Sequence, residues 1–147
     1  MFCVSKGLGA PAGSLLVGRK DDMAAARLYR KRLGGGMRQS GILASAGLLA
    51  VNEMTERLAE DHANAKLLAN GLCALPGIEI DPVKVQTNIV IFDIAKTGIA
   101  PADFVASMKA RGVLLSGVGG TRVRMVTHYD VSRQDCEKAL EAARLVL

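Results

Sequence analysis

Between Met37 and about Leu75 apolar side chains return at three- and four-residue steps: Leu48, Val51, Met54 and Leu58, then Leu67, Leu68, Leu72 and Leu75. That spacing lines one face of a helix. It predicts two helices, or one long kinked helix, stopped by Pro76-Gly77. Upstream, Phe2–Val4 predicts the end of a strand, and SLLV at 14–17, set between Gly13 and Gly18, predicts a short buried strand. Asp21 and Asp22 stand where the first turn of a helix favours negative charge. MAAARLYRKRL then predicts that helix, broken by Gly34, Gly35 and Gly36.

Beyond Pro76-Gly77 the periodicity shortens. NIVIFDI at 88–94 predicts a strand. PADFVASMKARG opens with Pro101 in a first turn and closes on Gly112, a helix signature. Val113–Leu115 predicts a further short strand, and TRVRMVT at 121–127 alternates as another. Ser132 with Asp135 three residues later forms a capping-box pattern that opens a terminal helix to Leu147. Residues 78–147 thus read strand, helix, strand, strand, helix, a small α+β layer domain, and the boundary falls at 77/78.

Composition adds limits. The chain has 147 residues, 50% apolar and 22% charged, which suits a domain with a real core rather than a disordered segment. Its longest apolar run, Ile42–Val51, is ten residues and too short to span a bilayer. MFCVSK has no signal-peptide core. Cys3, Cys73 and Cys136 lie far apart with no C-x-x-C, which suggests neither a disulfide framework nor a zinc site and points to a reducing, cytoplasmic compartment.

The net charge of +5 raises nucleic acid as a partner, since Arg27, Arg30, Lys31, Arg32 and Arg38 cluster. A solvated helix face explains the bulk of that cluster equally well. With no tryptophan, two tyrosines and 3% aromatic residues the chain has little to stack on bases, and no nucleic-acid-binding motif is present. No nucleic-acid or membrane partner is expected.

The chemistry concentrates near the start, in SKGLGAPAGS at 5–14. Gly7-Leu8-Gly9-Ala10-Pro11-Ala12 fits G-x-G-x-x-G/A in form, but it leads into a strand-like segment, so it is not a dinucleotide fingerprint. Glycines let backbone N–H groups approach an anion, and they equally suit a tight crossover between strands. Lys6 sits at a strand end between Ser5 and Gly7, where a cofactor on the sheet is within reach. A lysine amine attacks a carbonyl only when neutral. From the residues alone, a surface ammonium and a Schiff-base lysine both stay open.

Three stretches carry a resemblance: SKGLGAPAGSLLVG, RKRLGGGMRQSG and RMVTHYDVS. In order and spacing they resemble the low-specificity L-threonine aldolase family of fold-type I pyridoxal-phosphate enzymes, and the likeness extends over essentially the whole chain. The resemblance implies an α/β fold, with residues 1–77 the end of the large cofactor-binding domain plus linking helices and residues 78–147 the small C-terminal α+β domain.

It also implies pyridoxal 5'-phosphate as cofactor and site roles for four residues. Lys6 would form the Schiff base. Arg38 would meet the cofactor phosphate, from a neighbouring subunit, with Lys31 in the same region. Arg124 would hold the substrate carboxylate. Guanidinium groups suit both anions because they pair bidentately. Arg122 shares a strand face with Arg124 but lies outside the motif, and a local structural role is favoured for His128.

The implied activity is cleavage of L-threonine or allo-threonine to glycine and acetaldehyde, in a cytoplasmic homo-oligomer, dimer or tetramer. In the family a long segment precedes the cofactor lysine and supplies the phosphate loop, the ring-stacking histidine and the carboxylate at the pyridine nitrogen. These residues are not found here, so the chain is expected to be a C-terminal portion with little activity alone. Two alternatives remain: a non-catalytic fragment that associates with partner chains, and another fold-type I enzyme, a lyase or transaminase.

Overall fold

A computed structural model describes residues 1–147. They form two compact units, Met1–Leu58 and Ala59–Leu147.

In the first unit, β1 (Phe2–Cys3) and β2 (Ser14–Leu15) pair antiparallel, Phe2 opposite Leu15 and Cys3 opposite Ser14. Helix α1 (Lys20–Arg32) follows, with Asp21 and Asp22 in its first turn and Arg30, Lys31 and Arg32 in its last. Both charge sets complement the helix dipole. Gly34, at φ +85°, turns the chain out of the helix. The apolar run then forms α2 (Gly41–Asn52), and α3 (Met54–Cys73) begins after a break at Glu53, so the stretch is two helices. A small core joins Val4, Leu8 and Ala10 to Ala50, with Ala46, Met54 and Leu58 packed against it.

The expected buried strand at 14–17 is corrected here. Only Ser14 and Leu15 pair, both are exposed, and Leu16 and Val17 lie open to solvent. A buried strand needs neighbours on both faces, and a two-residue ladder supplies none.

In the second unit, α3 is followed by β3 (Ile89–Asp93), α4 (Pro101–Ala110), β4 (Ser116–Gly117), β5 (Arg122–Val126) and α5 (Arg133–Val146). The sheet is antiparallel in the order β3-β5-β4. Alternation sends Val90, Phe92, Val123 and Met125 to one face, where they join Leu68, Leu72, Phe104, Met108 and Leu140 in a single core. Phe92 and Phe104 meet edge-on, with centroids 6.1 Å apart. Gly71 lies where a Cβ would run into the Leu140 side chain, so its absence lets α3 and α5 approach.

The division between units falls inside α3, because Met54 and Leu58 pack with the first core while Ala65, Leu68, Ala69 and Leu72 pack in the second. The reading from sequence instead drew its line at 77/78, where Gly77 adopts φ +79° and the helix has ended. No helix is long and apolar enough to cross a membrane.

The strand expected at Val113–Leu115 does not form. Gly112, at φ +80°, ends α4, and the Val113 N–H donates to the Met108 carbonyl at 3.0 Å, which draws the chain away from β5. Pairing with β5 starts only at Ser116, opposite Arg124. Two short 3-10 turns, Pro82–Lys84 and Ala95–Thr97, went unforeseen.

The capping box at α5 is present. The Asp135 N–H donates to Ser132 Oγ and the Ser132 N–H to Asp135 Oδ2, each at 3.2 Å. The Ser132 hydroxyl, and after it Lys138, hold the Asp135 carboxyl below its ordinary range. Ser132→Ala is expected to cost about 1 kcal/mol in urea unfolding at neutral pH. Because the folded pKa of Asp135 is depressed, the share that its carboxylate adds through Ser132 is present above the unfolded value and lost as pH falls through the folded one. The gap between wild type and variant should therefore narrow once the pH drops below the ordinary aspartate value of about 3.9.

Candidate functional site

Three backbone hydrogen bonds close the connection between β1 and β2. Val4 N–H donates to Gly13 C=O at 3.1 Å, Ala10 N–H to Val4 C=O at 2.9 Å, and Gly9 N–H to Lys6 C=O at 2.9 Å. Val4, Leu8 and Ala10 are buried, while Lys6 between them is exposed. Gly13, at φ +127°, occupies a conformation side chains avoid, and a Cβ there would stand 3.1 Å from Val4 Cγ2. The turn is thus fixed by its own packing and presents the Lys6 side chain outward. That side chain makes no hydrogen bond or ion pair.

Lys31 and Arg38 flank the triple glycine. A Cβ on Gly36 would lie 2.9 Å from Lys31 Nζ, so the missing side chain lets the ammonium rest against the backbone. Arg38 follows, exposed and without an acidic partner. Gln39 is the one non-glycine residue at positive φ, 51°, a conformation that costs roughly 1–2 kcal/mol. The strained position lies directly beside Arg38.

In the second unit, burial of Val123 and Met125 turns Arg122 and Arg124 to the open face of the sheet. Their surroundings differ. Arg122 stands opposite Asp93, whose carboxyl is held below its ordinary range by the Thr121 side chain first, then the Ala95 N–H, with the Arg122 charge adding less. Arg124 stands between Ile91 and Ser116 and has no acidic partner. Its charge is uncompensated, which makes it the better receptor for a carboxylate.

Lys6, Lys31 and Arg38 therefore belong to the first unit and Arg124 to the second. None of the first three bonds to another. The His128 imidazole serves its own loop: Nδ1 accepts from the Asp130 N–H at 3.2 Å and lies 3.6 Å from Asp130 Oδ2.

Sequence reading missed a buried polar cluster. Asp61, Asn64 and Thr127 are the three buried polar residues of the chain. Thr127 Oγ1 donates to the Asp61 carbonyl at 2.7 Å, and Asn64 Nδ2 to the Val131 carbonyl at 3.1 Å. Asn88 Nδ2 donates to the Thr127 carbonyl at 2.9 Å. Together they tie the end of β5 to α3 and β3. The signal was available: period-two alternation from Val123 and Met125 sends Thr127 inward as well.

Residues 1–95 match the beta-eliminating lyase family. The chain belongs to that family. Among its relatives, low-specificity L-threonine aldolase 1 of Arabidopsis thaliana is 39% identical over 94% of the chain and 39% of its own length. Low specificity L-threonine aldolase of Escherichia coli K12 is 45% identical over 90% of the chain and 38% of its own length. Aldolase vrtJ of Penicillium aethiopicum is 35% identical, over 88% and 32%. The chain spans about two fifths of the length of the first two.

Two solved structures share the fold. The cysteine desulfurase CsdA of Escherichia coli gives a TM-score of 0.58 at 18% identity, over 76% of this chain and 31% of its own. MppP, soaked with 2-ketoarginine, gives 0.54 at 14%, over 71% and 31%. The fold is that of the fold-type I enzymes, and the family's chemistry is that of pyridoxal-phosphate-dependent lyases. The cofactor carries an aldehyde and a phosphate. The residues described here fit both, with an amine free of partners at Lys6 and cations free of carboxylates at Lys31 and Arg38.

Thr127→Val should remove the bond from the buried Thr127 hydroxyl to the Asp61 carbonyl and cost about 0.5–1.5 kcal/mol in urea unfolding. Thr127→Ser, which keeps the hydroxyl, should recover most of the loss. No loss in Thr127→Val, with a loss in Thr127→Ser, would show that the methyl group matters and the hydrogen bond does not.

Proposed function

We propose that the protein carrying these residues is a threonine-aldolase-type enzyme, which cleaves L-threonine or allo-threonine to glycine and acetaldehyde. The carrying observation is the unpartnered Lys6 amine on a turn locked by glycine packing, within residues 1–95 that match the beta-eliminating lyase family, in a chain whose relatives are named L-threonine aldolases. Residues 1–77 correspond in this reading to the end of the cofactor-binding domain and 78–147 to the small C-terminal domain. The enzyme is a cytoplasmic homo-oligomer, dimer or tetramer.

Each residue has a task that its surroundings support. Lys6 would hold the cofactor aldehyde through its amine. Lys31 and Arg38 would neutralise its phosphate. Arg124 fixes the substrate carboxylate in a bidentate pair, which orients the bond to be broken. Arg122, already facing Asp93, contributes less. Pyridoxal phosphate, when bound, supplies the electron sink for carbon–carbon cleavage.

The 147 residues as an isolated polypeptide are expected to show little turnover, since they correspond to about two fifths of the relatives' length. A second reading rests on the large exposed apolar side chains of the first unit, among them Leu28, Leu33, Met37 and Ile42. It makes the isolated polypeptide a non-catalytic element that associates with complementary chains.

Acetaldehyde release from threonine by the whole protein is the direct test. Arg124→Ala should raise KM about tenfold or more, the loss of one charge-assisted pair, while Arg122→Ala does less. Formation of a 2-oxo acid without acetaldehyde would instead identify a transaminase. Equal effects at both arginines would overturn the assignment to Arg124.

A mixing experiment tests where Arg38 acts. Subunits carrying Lys6→Ala and subunits carrying Arg38→Ala should each be inactive and regain part of the activity on forming hybrids. Folded parents whose hybrids gain nothing would place Arg38 in its own subunit's site or in none.

A further inference from the structure

The strand missing at 113–115 leaves a cavity behind. Because Val113 is bonded to the end of α4, residues 112–114 stand off from the end of β5, and a cavity of about 420 Å³ opens between them and the start of α5. Arg124 does not line it, so it is separate from the candidate carboxylate site. Its size is that of a small-molecule site.

The lining is mainly apolar, with Leu68, Met125, Val131 and Ala139 prominent. Cys136 belongs to this apolar surface: it is 1% exposed, and burial pushes its thiol up to about 11, so it stays neutral at physiological pH. The acids on the wall are engaged. Asp135 caps α5 and pairs with Lys138 at 3.2 Å, and Asp130 faces His128 at 3.6 Å. Arg111 is different. One of its nitrogens donates to the Ser107 carbonyl at 3.1 Å, and no carboxylate meets the remaining N–H groups. An apolar chamber thus carries at its wall an exposed positive charge that no carboxylate matches.

We propose that this cavity is a second binding site, for a small monocarboxylate with a branched or aromatic apolar tail, its carboxylate on Arg111. The tail displaces water from apolar surface, and the guanidinium supplies orientation and selects against amines. The site does not depend on the aldolase reading, because neither Lys6 nor Arg124 takes part.

Calorimetric titration of the 147-residue chain with 3-phenylpropionate, 3-phenylpropan-1-ol and 3-phenylpropylamine tests it. The acid should bind roughly tenfold more tightly than the alcohol, and the amine should bind most weakly. Arg111→Gln, a change at an exposed residue, should abolish the preference for the acid while circular dichroism stays unchanged. Ala139→Leu, which fills the chamber, should weaken acid and alcohol alike. Amide shift changes should centre on Val113, Met125 and Ala139. Equal affinity for acid and alcohol, an acid preference that survives Arg111→Gln, shifts centred on Arg124, or no saturable binding would each overturn the proposal.

Discussion

The two-residue period of β5 is the constraint on which the second unit depends. Burying Val123 and Met125 against α3, α4 and α5 leaves Arg122 and Arg124 no choice but the open face. The same period sends Thr127 inward, where its hydroxyl must find a partner and finds the Asp61 carbonyl. One alternation therefore places the carboxylate-binding candidate and ties the strand carrying it to a long helix. Shifting the strand by one residue would exchange both sets at once.

The first unit works by a different economy. Its core is small, and the geometry of the Lys6 turn comes from backbone hydrogen bonds and from glycines that admit close packing. A reactive amine gains from that arrangement, since the turn is fixed while the side chain stays free. The basic segment follows the same logic. Gly36 gives Lys31 room against the backbone, and the unusual Gln39 conformation directs the chain just after Arg38.

Much of this was legible in the sequence. Three- and four-residue spacing gave the helical stretch that holds α2 and α3, Pro101 and Gly112 bracketed α4, and Ser132 with Asp135 marked α5, because each of these signals acts locally. Three features depended on contacts that strand composition alone does not report. Residues 113–115 have strand composition, yet the helix cap at Gly112 claims the Val113 N–H first. SLLV reads as a buried strand, yet Leu16 and Val17 have nothing over them. The contrast between Arg122 and Arg124 rests on cross-strand neighbours, Asp93 for one and Ile91 for the other, which spacing along one strand cannot reveal. The polar cluster of Asp61, Asn64 and Thr127 was only half hidden, since alternation already pointed Thr127 at the core.

The central claim is that Lys6 is the amine that takes the cofactor. Borohydride reduction of the whole protein with bound pyridoxal phosphate, followed by peptide mapping in a mass spectrometer, tests it most directly. The account predicts the added mass on the peptide that contains Lys6, and its disappearance in Lys6→Arg. The same mass on another lysine, Lys31 included, with Lys6 unmodified, would contradict it.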